Sequence, residues 1–506
     1  MYRVTLPGIT QEEEGDTHLR RHGQRRRRPV RLREFETAGR NRGMRVPGSV
    51  AETVMSDITL KKGFDIRIDG APSDECATAP VPASAALLPE DFRGVRPVLL
   101  VKEGDRVRAG TPLFTDKATE QLRFVSPVSG KVERVVRGER RVITAIVIAS
   151  DGKNSTEKAP VKPRAAIQKK REEIIPLLLE SGLFPCFRQM PFAVQANTAD
   201  EPRDIFVTAF SSAPLAPRPA VVLSGNAEYF ARGLAVLSRL TSGRVHVSAR
   251  GDDVDTARAA SGVPGVEVHR VSGPHPAGCA GIIIHHIAPV RHARDIVWYC
   301  TMESAIRIGK LFADAKLSFE TTVAVGGPAS PVRRHVHTVM GARVASLLGG
   351  AAADPGARYI SGSVLTGRNA GFDGFLGFFD NQVSIVKEVS RAELFGWLAP
   401  GLRKGSASRT FLSRFLRGAA FAPDTNRNGS LRPFVATGIY EEVLPMDLHP
   451  VHLVKSILAG DIQEMEGLGI CEVSEEELAL CEYVCPSKNP FQEILRRGID
   501  MIMKEG

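Results

Sequence analysis

Two rhythms of apolar and polar positions divide the chain. In Met55-Ser-Asp-Ile-Thr-Leu-Lys-Lys-Gly63-Phe-Asp-Ile-Arg-Ile-Asp-Gly70 apolar and polar residues alternate between two glycines, the period-2 pattern of a strand, a turn and a second strand. From Gly94 to Gly152 short apolar runs recur between turn residues. Val98–Val101 precedes Glu103-Gly104-Asp105, Val107 precedes Ala109-Gly110-Thr111-Pro112, and Leu113-Phe114 follows. Beyond residue 170 the period lengthens. Lys170–Glu180 reads as a helix closed by Ser181-Gly182, glycine being the usual terminator. Strands are expected at Ile205-Phe206-Val207, Ala220–Leu223, Val245-His246-Val247 and Val266-Glu267-Val268. Between them Asn226–Leu240 is helical, with Phe230, Leu234, Leu237 and Leu240 on one face. Strands alternating with helices predict a parallel sheet covered by helices.

Composition narrows the class. A length of 506 residues implies several domains, and 43% hydrophobic with 25% charged residues is the ordinary globular mixture. A wholly disordered chain, a collagen-like fibre and a coiled-coil rod are excluded. No 18 apolar residues run together, so any membrane contact is expected to be indirect. Seven scattered cysteines and no signal peptide point to a reducing, cytoplasmic setting. The net charge of +10 is unevenly placed: residues 1–54 hold 12 arginines against 7 acidic residues. The remainder is nearly balanced, so a nucleic-acid stripe across the main body is not supported. Residues 1–54, with Arg25-Arg26-Arg27-Arg28 and no apolar periodicity, are expected to be a basic disordered extension and a non-native leader, with the protein starting at Met55. An arginine-rich arm for nucleic acid or anionic lipid is the other reading; Glu12, Glu13 and Glu14 argue against a presequence.

Candidate chemistry is sparse. The spacing of Val101-Lys-Glu-Gly-Asp105 and Ser126-Pro-Val-Ser-Gly-Lys-Val132 resembles the barrel-sandwich hybrid fold of lipoyl and biotinyl carriers, in which an Asp-Lys-Ala tip bears the modified lysine. Asp116-Lys117-Ala118 stands in that place, but Lys117 lies 13 positions before Gly130, about two more than a carrier hairpin has, so Lys117 is expected to be an ordinary surface lysine. A dinucleotide loop needs G-x-G-x-x-G opening a helix, and Ser224-Gly225-Asn226 offers one glycine. Gly273–His286 carries His275, Cys279, His285 and His286 in a Gly/Pro-rich loop entering a buried strand. Adjacent histidines on a strand point to opposite faces, and a structural loop is expected. His335 and His337 share a strand face and are expected to be a surface pair. Cys471, Cys481 and Cys485, spaced ten and four apart, fall short of the four thiolates of a cubane.

Together these segments resemble the family of the A-type subunit of the sodium-translocating NADH:quinone oxidoreductase from about Met55 to Gly506. The markers are Lys62-Gly63-Phe64-Asp65-Ile66-x-Ile68-x-Gly70, Gly273-x-His275-Pro276-Ala277-Gly278, Ser361-Gly362-Ser363-Val364-Leu365-x-Gly367 and Phe395-Gly396-Trp397-x-x-Pro400-Gly401. To these add Gly438-Ile-Tyr-Glu441-Glu442-Val-x-Pro445-x-Asp447-x-His449-Pro450 and Leu478-Ala-Leu-Cys481-Glu-Tyr-Val-Cys485-Pro486-Ser-Lys488. The chain departs from the family pattern at Met190 (usually arginine), Ile283 (usually histidine) and Ser211-Ser212 (usually Asp-Thr).

The resemblance implies a multidomain α/β and α+β fold. A barrel-sandwich hybrid at 94–152 lies inside an N-terminal β region, 55–152. Residues 153–305 form a Rossmann-like α/β domain resembling the flavin subunit of complex I without its nucleotide loop. A β-grasp, SLBB-like module follows at 306–390, with Val323–Gly327 and Ile360–Leu365 as strands, and a helical C-terminal domain without an iron–sulfur cluster fills 391–506. The implied role is that of a peripheral, non-catalytic member of a bacterial six-subunit pump, at the cytoplasmic face of the inner membrane and docked mainly on its B-type membrane subunit. The complex uses NADH, FAD, FMN, riboflavin and Fe–S centres, none bound by this chain, and ubiquinone comes near it. An Rnf-type electron-transfer subunit and a lipoyl carrier are the alternatives.

Overall fold

The computed structural model describes residues 55–163, 169–389, 400–402, 404–407, 411–416, 418–435 and 437–505. The markers Phe395, Gly396 and Trp397 lie outside the described residues. The described residues form one compact unit.

Its centre is a seven-stranded sheet in the order 55–59, 266–272, 245–250, 205–208, 297–301, 188–190, 194–195. The first five strands are parallel and the last two antiparallel. Numbered from 205–208, the central four follow the doubly wound order 3-2-1-4, so the chain reverses direction across the sheet between 205–208 and 297–301. Helices Ala227–Leu237 and Met302–Asp314 cover one face. Phe230, Leu234, Leu237 and Leu240 are all buried as the periodicity predicts, although the helix ends at Leu237.

Two expectations fail here. Ala220–Leu223 is helical within Pro219–Leu223, not a strand. A four-residue apolar run has no readable period, and Pro219 supplies the φ that suits a first helical turn. The strand–turn–strand over 55–70 keeps only its first strand, Met55–Thr59, which pairs in parallel with 266–272. The rest packs as extended chain: Phe64 N donates to His275 O at 2.8 Å, and a Cβ on Gly63 would meet that same oxygen at 2.4 Å.

The sandwich forms as expected from sheets of four and three strands, the four-stranded one including Ser84–Leu87 from before residue 94. Lys117 is exposed just past the strand Pro112–Asp116, its N–H donating to Arg96 O, while Asp116 accepts from Arg96 N and Thr119 N. A second six-stranded sheet holds 320–326 and 357–361 and recruits Cys76–Thr78 as its edge. The strand expected at Ile360–Leu365 stops at Ser361, where Gly362 takes φ 93°. His335 and His337 do share the strand Arg334–Val339, but not as a surface pair. His335 is fully buried, its Nδ1 facing Ser73 O at 2.7 Å and its Nε2 accepting from Arg218 N at 3.0 Å. The C-terminal helices 450–459, 475–484 and 491–505 share a core with helix Ala280–Ile287. No helix among the described residues is long and apolar enough to cross a membrane.

The helices over the central sheet touch backbone to backbone. A Cβ on Gly233 would sit 1.9 Å from Ala305 O, and one on Gly309 1.8 Å from Tyr229 O. A methyl group at either position must push the helices apart. Gly233→Ala is expected to destabilise the chain by about 2–3 kcal/mol in urea unfolding, whereas Gly467→Ala, open to solvent in its helix, is expected to be neutral or to stabilise by up to about 1 kcal/mol. Equal effects at the two positions would contradict this packing.

Candidate active-site cleft at the sheet switch point

In sheets of this order ligands enter at the carboxyl ends of the strands, where the order reverses. Thr208 and Thr301 end the two strands at that point and line a recess of 120 Å³. It adjoins a cleft of 900 Å³ formed by the sandwich, the second sheet and the C-terminal helices. Arg188, Phe379 and Glu476 line both and mark their junction.

Arg188 stands on the antiparallel strand Arg188–Met190, next to the sheet's edge, opposite Tyr299. Its guanidinium is sandwiched between the rings of Tyr299 and Phe379, 4.6 and 4.7 Å from their centroids. Each such contact contributes about 1 kcal/mol. The facing carboxylates come from the first turn of helix Glu475–Val484, where the helix dipole favours negative charge. Glu475 forks onto Arg496, with Nη2 to Oε2 at 2.6 Å, and reaches Arg93 at 3.2 Å. Glu477 is committed to backbone: its Oε2 accepts from Ser474 N at 2.8 Å and its Oε1 from Gly281 N at 2.9 Å. That leaves Glu476. Burial, then the neighbouring Glu477, push its carboxyl up to about 7, against the pull of Arg188. The carboxyl is thus biased towards its protonated form relative to a free glutamate.

Cys279, Glu476 and Glu477 have donor atoms within 4.8 Å of one another. They suit a metal poorly, because both Glu477 oxygens are already spent on N–H and O–H donors, and burial raises the Cys279 thiol well above its usual range. A phosphate is equally poorly served. The loop after strand 205–208 carries Pro214, Pro217 and Pro219, which have no N–H to offer, and the helix that follows is only five residues long.

The other candidates disperse. His285 and His286 lie on helix Ala280–Ile287, not on a strand, since Cys279-Ala-Gly-Ile-Ile-Ile reads equally well at either period. His285 bonds Glu472 at 2.7 Å and accepts from Asp447 N at 3.2 Å; His286 bonds Pro445 O at 2.7 Å. His275 Nδ1 meets Ser212 Oγ at 3.0 Å, and Ser212 Oγ also accepts from Gly278 N at 2.8 Å. Met190 and Ile283 are core residues. Cys481 and Cys485 are buried against Tyr440, whose hydroxyl lies 3.2 Å from Cys485 Sγ; burial raises the Cys481 thiol and brings Cys471 to about 11. Sequence reading missed Arg188, Tyr299, Phe379 and Glu475–Glu477. One signal was present: Ser474-Glu-Glu-Glu477 ahead of an apolar helix is a capping box.

Two outcomes follow. Arg188→Ala is expected to lower stability by about 2–3 kcal/mol and Arg188→Lys by about half that, since lysine keeps the charge but not the planar stack. Loss of that ranking in urea unfolding would refute the sandwich. Glu476 holds its proton more tightly folded than unfolded, so its contribution is complete below about pH 4.5 and fades as pH rises through 7. Glu476→Gln should gain stability relative to the parent between pH 4.5 and 7.5; a flat difference would place the proton elsewhere.

Three stretches match family models in order: the NqrA N-terminal barrel-sandwich hybrid domain over residues 58–151, the NqrA second alpha/beta domain over 169–317 and the NQRA C-terminal domain over 322–371. A protein of Neisseria meningitidis serogroup A, named as the A-type subunit of Na(+)-translocating NADH-quinone reductase, is 41% identical over 451 residues, 89% of this chain and 100% of the relative. Proteins of the same name from Hahella chejuensis and Klebsiella pneumoniae strain 342 are 41% and 40% identical, each likewise spanned from end to end. Among solved structures, NAD+-reducing [NiFe]-hydrogenase chains align at 12% identity with TM-scores of 0.33 and 0.37, a likeness too slight to bear on fold or function. With three domains matched in sequence order and identity sustained over the relatives' full length, the chain belongs to the NqrA family, the A-type subunits of Na(+)-translocating NADH-quinone reductase.

Proposed function

We propose that the chain works as the peripheral A-type subunit of a sodium-translocating NADH:ubiquinone reductase, at the cytoplasmic face of the inner membrane, docked on the B-type membrane subunit. It supports quinone reduction coupled to sodium export without holding a flavin or an iron–sulfur centre; FAD, FMN, riboflavin and Fe–S belong to the other subunits. Its α/β layer is Rossmann-like and akin to the flavin subunit of complex I, with the nucleotide chemistry replaced.

One observation carries the reading. At the sheet's switch point the place of a phosphate is taken by the chain's own groups: Arg188 between Tyr299 and Phe379, faced by Glu476, below a loop whose prolines lack donors. The Arg188 guanidinium is held by two aromatic rings in the field of the nearby carboxylates, and the prolines of the loop beside it offer no N–H to complete an anion site. The cleft beyond it carries both signs of charge, including Asp91, Arg93, Glu493, Arg497 and Asp500. That lining suits a polar protein surface better than an isoprenoid tail.

The visible spectrum and intact mass of the purified chain test this. The expected chain is colourless and has the mass of its sequence. Stoichiometric flavin or iron absorbance would overturn the proposal, and a mass increment on Lys117 would make the chain a carrier. In cells, deleting the chain is expected to abolish sodium-dependent quinone reduction in membranes, with restoration by the re-expressed chain.

A further inference from the structure

A second polar cluster lies in the central sheet, away from the strands' carboxyl ends. His246 and Glu267 are directly paired on adjacent parallel strands, each the second residue of its strand, and His269 follows Glu267 by two positions on the same face. His246 Nδ1 and His269 Nε2 face each other at 3.0 Å, and Glu267 Oε2 lies 3.6 Å from His246 Nδ1. We propose that His246 Nδ1, His269 Nε2 and the Glu267 carboxylate form a binding site for one divalent transition-metal ion of the Zn2+ type.

Two of the donor separations are at coordination spacing, and all three donors lie within 4.8 Å of one another. Ligands about 2.0–2.2 Å from a tetrahedral ion stand roughly 3.3–3.5 Å from one another, and the observed separations of 3.0 and 3.6 Å bracket that range. Two imidazoles and a carboxylate suit Zn2+ and leave a fourth position for water.

The outer atoms are arranged as ligating histidines require. The far nitrogen of a metal-bound imidazole normally donates to an oxygen, which sets the tautomer and aims the ring. His269 Nδ1 meets Ser56 Oγ at 2.6 Å, and His246 Nε2 faces Asp204 Oδ1 at 3.7 Å. The His246 ring is also stacked on Phe206, 4.8 Å between centroids. Glu267 is the least buried of the three and gives the ion its route in. Arg244 approaches the other oxygen, Oε1, at 3.6 Å, leaving Oε2 to the ion.

Ser56 belongs to the edge strand Met55–Thr59. An ion at this site would hold that strand to the sheet through His269. The same atoms can be joined without an ion, by hydrogen bonds running from Ser56 through His269 and His246 towards Asp204. That chain makes Glu267 dispensable; the ion makes it essential.

The test uses the full chain, stripped with EDTA and freed of chelator. Zn2+ is titrated by calorimetry and Co2+ by visible absorption. The expected result is one equivalent bound, with the Co2+ band of a four-coordinate nitrogen–oxygen site. Glu267→Gln and His269→Gln should each weaken binding roughly tenfold or more, and Ser56→Ala, an outer-shell change, roughly tenfold. His449→Ala should leave it unchanged, and bound Zn2+ should slow hydrogen exchange in residues 55–59. Glu267→Gln replaces a carboxylate at the rim, so its melting temperature in EDTA should match the parent's, and this variant decides the matter if His269→Gln does not fold. Failure of the parent chain to bind Zn2+ below about 1 mM, or unchanged affinity in Glu267→Gln, would overturn the site.

Discussion

A guanidinium drawn out of bulk water is the constraint on which the arrangement turns. Arg188 cannot lose its proton, so wherever it is recessed it must be matched by electron-rich partners. Here they come from three parts of the chain: Tyr299 from the central sheet, Phe379 from the second sheet and Glu476 from the C-terminal helices. The sandwich adds Arg93, which shares Glu475 with Arg496. Segments from Arg93 to Arg496 thus meet around two neighbouring charges, Arg188 and Glu475. A cluster of this kind contributes little net stability, because desolvation offsets the attraction. What it confers is position: only one docking of the C-terminal helix brings Ser474–Glu477 to Arg188.

The local chemistry of that helix start serves the same end. Ser474 and Glu477 cap the helix reciprocally, and Glu477 also takes the amide of Gly281, where any side chain would collide with the carboxylate. The first turn is therefore tied both to its own backbone and to the helix that follows the Gly/Pro-rich loop. Glu476, outside these ties, is the carboxyl that burial and Glu477 bias towards its protonated form. The site is a junction at which the central sheet, the loop carrying Phe379 and the C-terminal helices meet.

Much of the fold was legible beforehand where period and punctuation agree. Phe230, Leu234 and Leu237 announce their helix, and the paired turns around Gly104 and Gly130 announce the sandwich. Short apolar runs misled. Ala220–Leu223 and Ile282–Ile284 look the same as strand or helix, because three or four apolar residues in a row carry no phase. His335 was read as a surface partner of His337 because the two share a strand face, whereas the edge strand Cys76–Thr78 and the Arg218 loop close over it.

By itself the sequence determined the family, the kinds of elements and the poverty of conventional cofactor motifs, since these rest on residue identity and local spacing. Partnership across the chain was decided only by the tertiary structure. Met55–Thr59 leaves its sequence neighbours to complete a sheet formed some 150 to 250 residues later, Arg188 finds carboxylates beyond residue 470, and His246 comes to face His269 and Glu267. The physical reason is that strand register and charge compensation are long-range contacts: they arise when distant segments lose their water together, and no local pattern records which segment will arrive.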